Sequence, residues 1–184
     1  MKLIAIVGMA GSGKSELAKI FEKNGFTIIR FGEITDEILA RKGIEINEEN
    51  EKKIRENLRK EHGMVAYAKL NLEKIETALK NNHVVIDGLY SWEEYLFLKE
   101  KFNNMITLAV YAPPNTRYER LVDRNVRPLT KEQARARDIR EIENLNKSGP
   151  IAVADYTIYN VNTLFDLKEN FDKFIEWMHT EDRK

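Results

Sequence analysis

The amino-acid sequence predicts a three-layer α/β fold, in which helices cover both faces of a five-stranded parallel sheet. Short, continuous apolar runs recur along the chain, and such runs are typical of strands that are buried on both faces. Segments with the apolar spacing of helices separate these runs. Strands that alternate with helices favour a parallel sheet whose strands are joined by crossover helices.

Five strands and eight helices are predicted in alternation. The strands cover residues 3–7, 26–31, 83–87, 105–112 and 155–159. The helices cover residues 15–23, 35–42, 48–61, 65–80, 92–102, 115–124, 131–146 and 164–179. Asn47 is expected to cap the third helix, whereas Ser148, Gly149 and Pro150 are expected to form a loop. Since no repeat or linker interrupts the pattern, residues 1–184 are expected to form a single domain.

Composition excludes several classes of protein. The 30 basic and 30 acidic residues cancel, so no overall field attracts nucleic acid or an anionic membrane. The sequence has no cysteine, which excludes disulfides, thiolate catalysis and cysteine-ligated zinc. No apolar run is long enough to span a bilayer. We expect a cytoplasmic protein that binds neither nucleic acid nor membranes, and its oligomeric state is left open.

The segment GMAGSGKS, residues 8–15, carries the strongest functional signal. It matches the pattern G-x-x-x-x-G-K-S in full and lies between a predicted strand and a predicted helix. Glycines let successive backbone N–H groups turn toward a phosphate, and the start of the helix adds the positive end of its dipole. We expect the phosphates of ATP to be bound by Gly8, Ala10, Gly11, Ser12, Gly13, Lys14 and Ser15. The Ser15 hydroxyl is also a predicted ligand of Mg²⁺.

The sequence lacks the two further motifs that a GTPase would need. A GTPase would have an Asp-x-x-Gly motif after the third strand, but in this chain Asp87 is followed by Gly-Leu-Tyr. The guanine-binding motif Asn-Lys-x-Asp is also missing, because Asn146 and Lys147 are followed by Ser-Gly. A guanine-nucleotide switch is therefore disfavoured.

The order of these features resembles the P-loop nucleoside monophosphate kinases, a family that includes adenylate kinase and dephospho-CoA kinase. The resemblance covers nearly the whole chain, from GMAGSGKS through HVVIDG to ADYTIYN near the end. The stretch RFGEITDEILARKGIEINEEN also resembles an uncharacterised adenylate-kinase-related family. The resemblance implies a P-loop NTPase fold with strand order 2-3-1-4-5. It also implies a helical acceptor-binding insertion at about residues 33–81 and a helical lid at about residues 117–146.

The predicted lid is rich in arginine. Residues Arg117, Arg120 and Arg124 are three or four positions apart, so they share a helix face. Arg120, Arg124 and Arg127 are predicted to neutralise the transferred phosphoryl group, and Arg137 is a further candidate. The alternative is a solvated helix face whose arginines pair with nearby acids, namely Glu119, Asp123, Asp138 and Glu141.

Polar residues follow three of the predicted strands, where ligands bind in parallel sheets. Asp87 is predicted to hold Mg²⁺ through water or to orient the acceptor, and a turn aspartate is the alternative. Glu33 is predicted to take the proton of a hydroxyl acceptor, or else to add charge to a helix start. Asn160 is predicted near the adenine edge or as a turn residue. For a phosphate acceptor the candidate cations are Arg41, Arg55 and Arg59, although a polar helix face explains them better.

Three positions on the acceptor side depart from the related family. Asp36 and Tyr90 stand where that family often has arginine, and Glu33 stands where it has aspartate. The sequence predicts an ATP- and Mg²⁺-dependent kinase with a nucleotide-like acceptor, either a nucleoside monophosphate or dephospho-CoA. The missing arginines leave open a regulatory nucleotide-binding ATPase or switch that has no small-molecule acceptor.

Overall fold

The computed structural model describes residues 1–125 and 128–181. Its five strands form one parallel sheet in the order β2-β3-β1-β4-β5, which confirms the predicted order. Each strand lies within its predicted segment. The strands are β1 Leu3–Val7, β2 Thr27–Arg30, β3 Val84–Asp87, β4 Ile106–Tyr111 and β5 Tyr156–Tyr159.

Nine helices are found among the described residues, and they connect and cover the strands. Asn47 caps the third helix as predicted, since its side chain accepts a hydrogen bond from the backbone N–H of Asn50 at 2.9 Å. The helices are α1 Lys14–Lys23, α2 Glu33–Arg41, α3 Glu48–His62, α4 Ala66–Leu79, α5 Trp92–Lys101, α6 Pro114–Asp123, α7 Lys131–Leu145, α8 Ser148–Ala152 and α9 Leu164–Glu181. None of them is long and apolar enough to cross a membrane.

Two apolar cores lie on opposite faces of the sheet, which explains why the strands are apolar without alternation. On β1, Leu3, Ala5 and Val7 pack into the core that α2, α3, α4 and α5 complete. Ile4 and Ile6 pack into the other core, with α1 and α9. Because β1 is buried on both faces, all five of its residues are apolar.

The loop predicted at residues 148–150 is wrong, because these residues begin α8. Pro150 lies in the first turn of this helix, where its missing N–H removes no intrahelical hydrogen bond. Gly149 lies against the Trp92 ring, and a Cβ atom there would be 2.6 Å from Cε3 of Trp92. A Ser-Gly-Pro triplet favours a turn when it is interpreted locally, so the packing contact decides the outcome.

The register of the sheet places the functional segments together at the carboxyl ends of the strands. Ile6 of β1 pairs with Asp87 of β3, and Asp87 pairs in turn with Arg30 of β2. Since the strands are parallel, the loops that follow β1, β2 and β3 all leave the sheet at this edge.

Candidate active site

The loop of residues 8–13 joins β1 to α1, and its backbone requires glycine. Gly8 has φ 148°, and a Cβ atom there would lie 2.5 Å from the carbonyl oxygen of Val110. Gly13 has φ 100°, and a Cβ atom there would overlap the side-chain amide of Asn160. The loop can therefore lie close against Val110 and Asn160 only with glycine at these positions.

Arg117 supports this loop from α6. Its Nη1 donates to the carbonyl oxygen of Ala10 at 2.9 Å, and its Nε donates to that of Ala112 at 3.2 Å. The guanidinium group also forms a bidentate ion pair with Asp138 of α7, at 3.0 and 2.6 Å. Arg117 and Asp138 are both buried. For Arg117 the predicted alternative is therefore correct about the pairing with Asp138 but wrong about a solvated helix face, because both side chains are buried.

Asn160, which follows β5, holds the loop from the other side. Its side chain is buried, and Nδ2 donates to the carbonyl oxygen of Ser12 at 2.8 Å. Its backbone N–H donates to the carbonyl oxygen of Tyr111 at 2.8 Å, which anchors it to the end of β4. The structure thus gives Asn160 a positioning contact with the loop, and its contact with adenine stays a prediction.

Lys14 is the first residue of α1, and its Nζ donates to the carbonyl oxygen of Met9 at 3.0 Å. Burial, and to a smaller extent the positive charge of Lys147, lower the pKa of Lys14 to about 7. The carboxylates of Asp87 and Glu141 act in the opposite direction but do not compensate. An anion bound beside Lys14 would stabilise its charged form, which is the electrostatic requirement of a phosphate site.

Lys147 and Arg137 bring further positive charge to the site, and both interact with Glu141 of α7. The Nζ atom of Lys147 lies 2.5 Å from Oε2 of Glu141, and the Nε atom of Arg137 lies 2.9 Å from Oε1. Lys147 is only 3% exposed, and its Nζ lies 5.5 Å from the centroid of the Tyr90 ring. Although burial opposes it, the two cations lower the pKa of Glu141 to about 2.

Arg137 was among the predicted candidates, but Lys147 was missed. Asn146 ends α7 in the left-handed conformation, with φ 48°, and this turns the chain back. The backbone N–H of Lys147 then donates to the carbonyl oxygen of Glu141 at 3.3 Å. The sequence analysis interpreted Asn146 and Lys147 only as an incomplete guanine-binding motif. An Asn-Lys pair directly after a long helix was the signal available, since asparagine is one of the residues that end helices in this conformation.

The three arginines predicted to neutralise phosphate have different outcomes. Arg120 of α6 is half-buried, and its Nη1 has no hydrogen-bond partner among the described residues. Burial lowers the pKa of Arg120, which an approaching anion would reverse. Arg124 directly follows α6, and it already interacts with other groups of the protein. Arg127 lies outside the described residues. Arg120 is thus the predicted lid residue with an unused donor.

A cavity of about 210 Å³ opens at the ends of β2 and β3, and we call it the strand-end cavity. It is lined by Arg30, Gly32, Glu33, Asp36, Asp87 and Tyr90. Burial raises the pKa of Asp87, although Lys14 and Arg30 both oppose this change. Glu33 begins α2 and is exposed, and one of its oxygens lies 2.8 Å from the Nζ of Lys74.

The lining of this cavity only partly agrees with the sequence analysis. Glu33 and Asp87 were predicted to belong to the site. Asp36 and Tyr90 are the two positions at which the related family often has arginine and this chain does not. Arg30, the last residue of β2, was not predicted. Its signal was a single charge at the end of an otherwise apolar strand.

Glu94 of α5 fixes the segment between Asp87 and α5. Its Oε2 accepts hydrogen bonds from the backbone N–H groups of Tyr90 and Ser91, at 2.9 and 3.2 Å. Ser91 in turn accepts from the backbone N–H of Glu94, which completes a capping box. Burial raises the pKa of Glu94 to about 7. The position of Tyr90 in the strand-end cavity therefore depends on a buried carboxyl that the sequence analysis did not single out.

The residues present fit a nucleotide with Mg²⁺. Ser15 lies in the first turn of α1, and Asp87 ends the strand that neighbours β1. Among the described residues, no three His, Asp or Glu side chains come together as a metal cage. Mg²⁺ does not need one, because it commonly retains several waters and binds one or two protein ligands plus the phosphates of its substrate. Ser15 and Asp87 are suitable for that role.

The chain is similar in sequence to known proteins over most of its length. A family model described as an AAA domain matches residues 4–146. A UPF0200 protein of Thermococcus kodakarensis is 37% identical, and the match covers 95% of this chain and 96% of that protein. A UPF0200 protein of Sulfurisphaera tokodaii is 35% identical over 96% of this chain and 97% of that protein.

Solved structures of P-loop kinases share the fold. A shikimate kinase from Bacteroides thetaiotaomicron has a TM-score of 0.63 at 14% identity, with 97% of this chain and 98% of that chain covered. A gluconokinase from Sinorhizobium meliloti has a TM-score of 0.57 at 14% identity, with 98% and 97% covered. The predicted likeness to P-loop kinases is confirmed at the level of the fold.

Proposed function

We propose that the chain, which belongs to the UPF0200 family, is an ATP- and Mg²⁺-dependent phosphotransferase that acts on a small molecule. One observation carries this proposal: Lys14, Lys147 and Asp87 interact electrostatically at the sheet edge where the strand-end cavity also opens. A phosphate-binding loop alone would suit any nucleotide-binding protein. A cavity beside it, lined by side chains that can bind a second molecule, favours transfer between two substrates.

The donor side is assigned to the loop and the cations around it. The loop amides and Lys14 would bind the β- and γ-phosphates of ATP, and Ser15 and Asp87 would hold Mg²⁺. Mg²⁺ would neutralise charge on the phosphate oxygens during transfer. Arg120, Arg137 and Lys147 would add positive charge around the transferred group, since phosphoryl transfer depends chiefly on alignment and charge neutralisation.

The sequence leaves two kinds of acceptor open, a phosphate and a hydroxyl group, and the cavity lining favours one of them. The phosphate of a nucleoside monophosphate is already a nucleophile and mainly needs cations, whereas a hydroxyl acceptor such as that of dephospho-CoA must lose a proton. Three carboxylates and one arginine line the strand-end cavity. This lining supports a hydroxyl acceptor, with Glu33 as the group that receives the proton.

A coupled assay of ADP release tests the proposal. With ATP, Mg²⁺ and a panel of small hydroxyl compounds and nucleotides, we expect acceptor-stimulated turnover in the wild type. We expect a loss of about 100-fold or more in Lys14→Ala, because the cation on the β- and γ-phosphates is removed. Lys19→Ala is the matched control, since Lys19 lies on the exposed side of the same helix and pairs with Glu16. Tight ATP binding with slow hydrolysis that no acceptor accelerates would instead favour the regulatory ATPase.

A further inference from the structure

We infer that the strand-end cavity takes a small hydroxyl compound that carries no anionic group, an uncharged polyol or an amino alcohol, and does not take a nucleoside monophosphate. This inference rests on the phosphotransferase function and names its acceptor class. It departs from the nucleotide-like acceptor that the sequence resemblance implies. Three properties of the cavity carry it: its charge, its size and the way in which the nearby cations are used.

The charge of the cavity opposes an anion. Glu33, Asp36 and Asp87 contribute carboxylates, and Arg30 is the one cationic side chain among the described lining residues. A binding site for a phosphate monoester would be expected to hold several cations, whereas this lining holds more carboxylates than cations. Carboxylates accept hydrogen bonds from hydroxyl groups and attract ammonium groups, which suits a polyol or an amino alcohol.

Two of the nearby cations are already paired with acids of this chain. Lys74 pairs with Glu33 at 2.8 Å, and Lys147 pairs with Glu141 at 2.5 Å. At the arginine position expected from the related family stands Tyr90, whose ring faces Lys147. Apart from Arg30, a second phosphate group in the cavity would therefore compete with Glu33 and Glu141 for these two cations.

The size of the cavity is also restrictive. Its volume of about 210 Å³ lies below the roughly 300–1,000 Å³ that is usual for ligand pockets. Glycine at position 88 lets the Tyr90 side chain lie against the cavity, because a Cβ atom on Gly88 would be 2.9 Å from the Tyr90 hydroxyl. A compound of a few carbon atoms fits such a space better than a nucleoside does.

The transfer balances with the groups present. A hydroxyl oxygen of the acceptor attacks the γ-phosphorus of ATP, and a new P–O bond forms. The bond from the γ-phosphorus to the β–γ bridging oxygen breaks, and ADP leaves with that electron pair. The hydroxyl proton passes to the Glu33 carboxylate and from there to solvent, since Glu33 is exposed. The products are ADP and a phosphate monoester.

A bisubstrate analogue gives the first test. Diadenosine pentaphosphate joins an ATP-like half to an AMP-like half, so it gains from linkage wherever both halves have a site, commonly by about 100-fold or more. We expect calorimetry to give a dissociation constant within about tenfold of that for ATP, because only the ATP-like half is bound. A gain larger than about tenfold overturns the inference while leaving the phosphotransferase function standing. If neither ATP nor the analogue binds, the proposed function itself fails and the inference with it.

A charge reversal gives the second test. In saturating ADP and Mg²⁺, which occupy the loop, AMP binding is compared between Asp36→Arg and Glu37→Arg. Asp36 lines the cavity, whereas Glu37 is the next residue of α2, is exposed and does not line it. We expect Asp36→Arg to strengthen AMP binding by about tenfold or more, and Glu37→Arg to change it by less than about twofold. An equal response of the two variants, or tight AMP binding by the wild type, would overturn selection by charge.

Discussion

Lys14 carries a conflict between burial and charge. A lysine side chain far from other charges would stay protonated throughout the neutral range, but burial and the charge of Lys147 lower its pKa to about 7. Lys147 cannot move away, because it is buried and held by Glu141. Two lysines that repel each other in this way create a preference for an anion between or beside them. The unfavourable charge is thus part of how the site would select phosphate.

This conflict predicts that ATP binding takes up a proton. At pH 8 a lysine with a pKa of about 7 is mostly neutral. A phosphate beside it raises the pKa again, so binding should take up more than about half a proton per site. Calorimetric titration with ATP and Mg²⁺ in two buffers of different ionisation enthalpy measures this number.

Lys147→Met supplies the control for proton uptake. Removing the charge of Lys147 should raise the pKa of Lys14 in the free protein, so less proton is taken up at pH 8. Arg137 still pairs with Glu141 in this variant, which limits the structural damage. Equal proton uptake in the variant and the wild type would show that Lys147 does not act on Lys14.

At the scale of elements, the contact between α6 and α7 contains one buried and one exposed ion pair, and the two are expected to contribute differently to stability. Arg117 and Asp138 are buried and bidentate, and they also fix the phosphate loop through Ala10. Lys131 and Glu119 connect the same two helices at 3.6 Å, but both side chains are about 60% exposed. Exposed pairs contribute little to stability, whereas breaking a buried pair leaves an uncompensated charge.

The expected effects differ accordingly. Arg117→Ala should lower the free energy of unfolding by about 3–5 kcal/mol, because Asp138 is left buried without its partner. Lys131→Ala should change it by less than about 1 kcal/mol. Urea denaturation of both variants measures these differences. The double variant Arg117→Met with Asp138→Leu should recover much of the loss, and a failure to recover would assign it to the lost contact with the loop.

Across the whole molecule, every element except α8 was predictable because it is specified locally, and the site was predictable only where a motif specifies it. Apolar strands and the glycine-lysine-serine loop could be identified from short stretches of sequence. Lys147 and Arg30 have only weak local signals, because their roles arise from contacts with Glu141 and Asp87, and the first contact depends on how α7 ends. The sequence identifies Arg117 as an arginine of the predicted lid. Its support of the loop could not be predicted, since its partner Ala10 is 107 residues away.

The same long-range contacts predict how the whole chain responds to ligand. The loop is tied to α6 by Arg117 and to the end of β5 by Asn160, and β1 contributes to both apolar cores. A ligand that stabilises the loop should therefore stabilise the entire domain. At 100 times its dissociation constant, ATP should add about 2.7 kcal/mol, which corresponds to a rise in Tm of roughly 5–11 °C for a chain of this size.

Differential scanning calorimetry with ATP and Mg²⁺ tests this coupling. We expect one unfolding transition, and it should shift as a unit, because the helices on both faces of the sheet share the strands between them. Lys14→Ala should abolish most of the shift, whereas Lys19→Ala should retain it. Two transitions, of which ATP moves only one, would contradict the prediction. Such a result would mean that α2, α3 and α4 unfold independently of the sheet, despite the packing of Leu39, Leu58 and Ile75 into the core beside it.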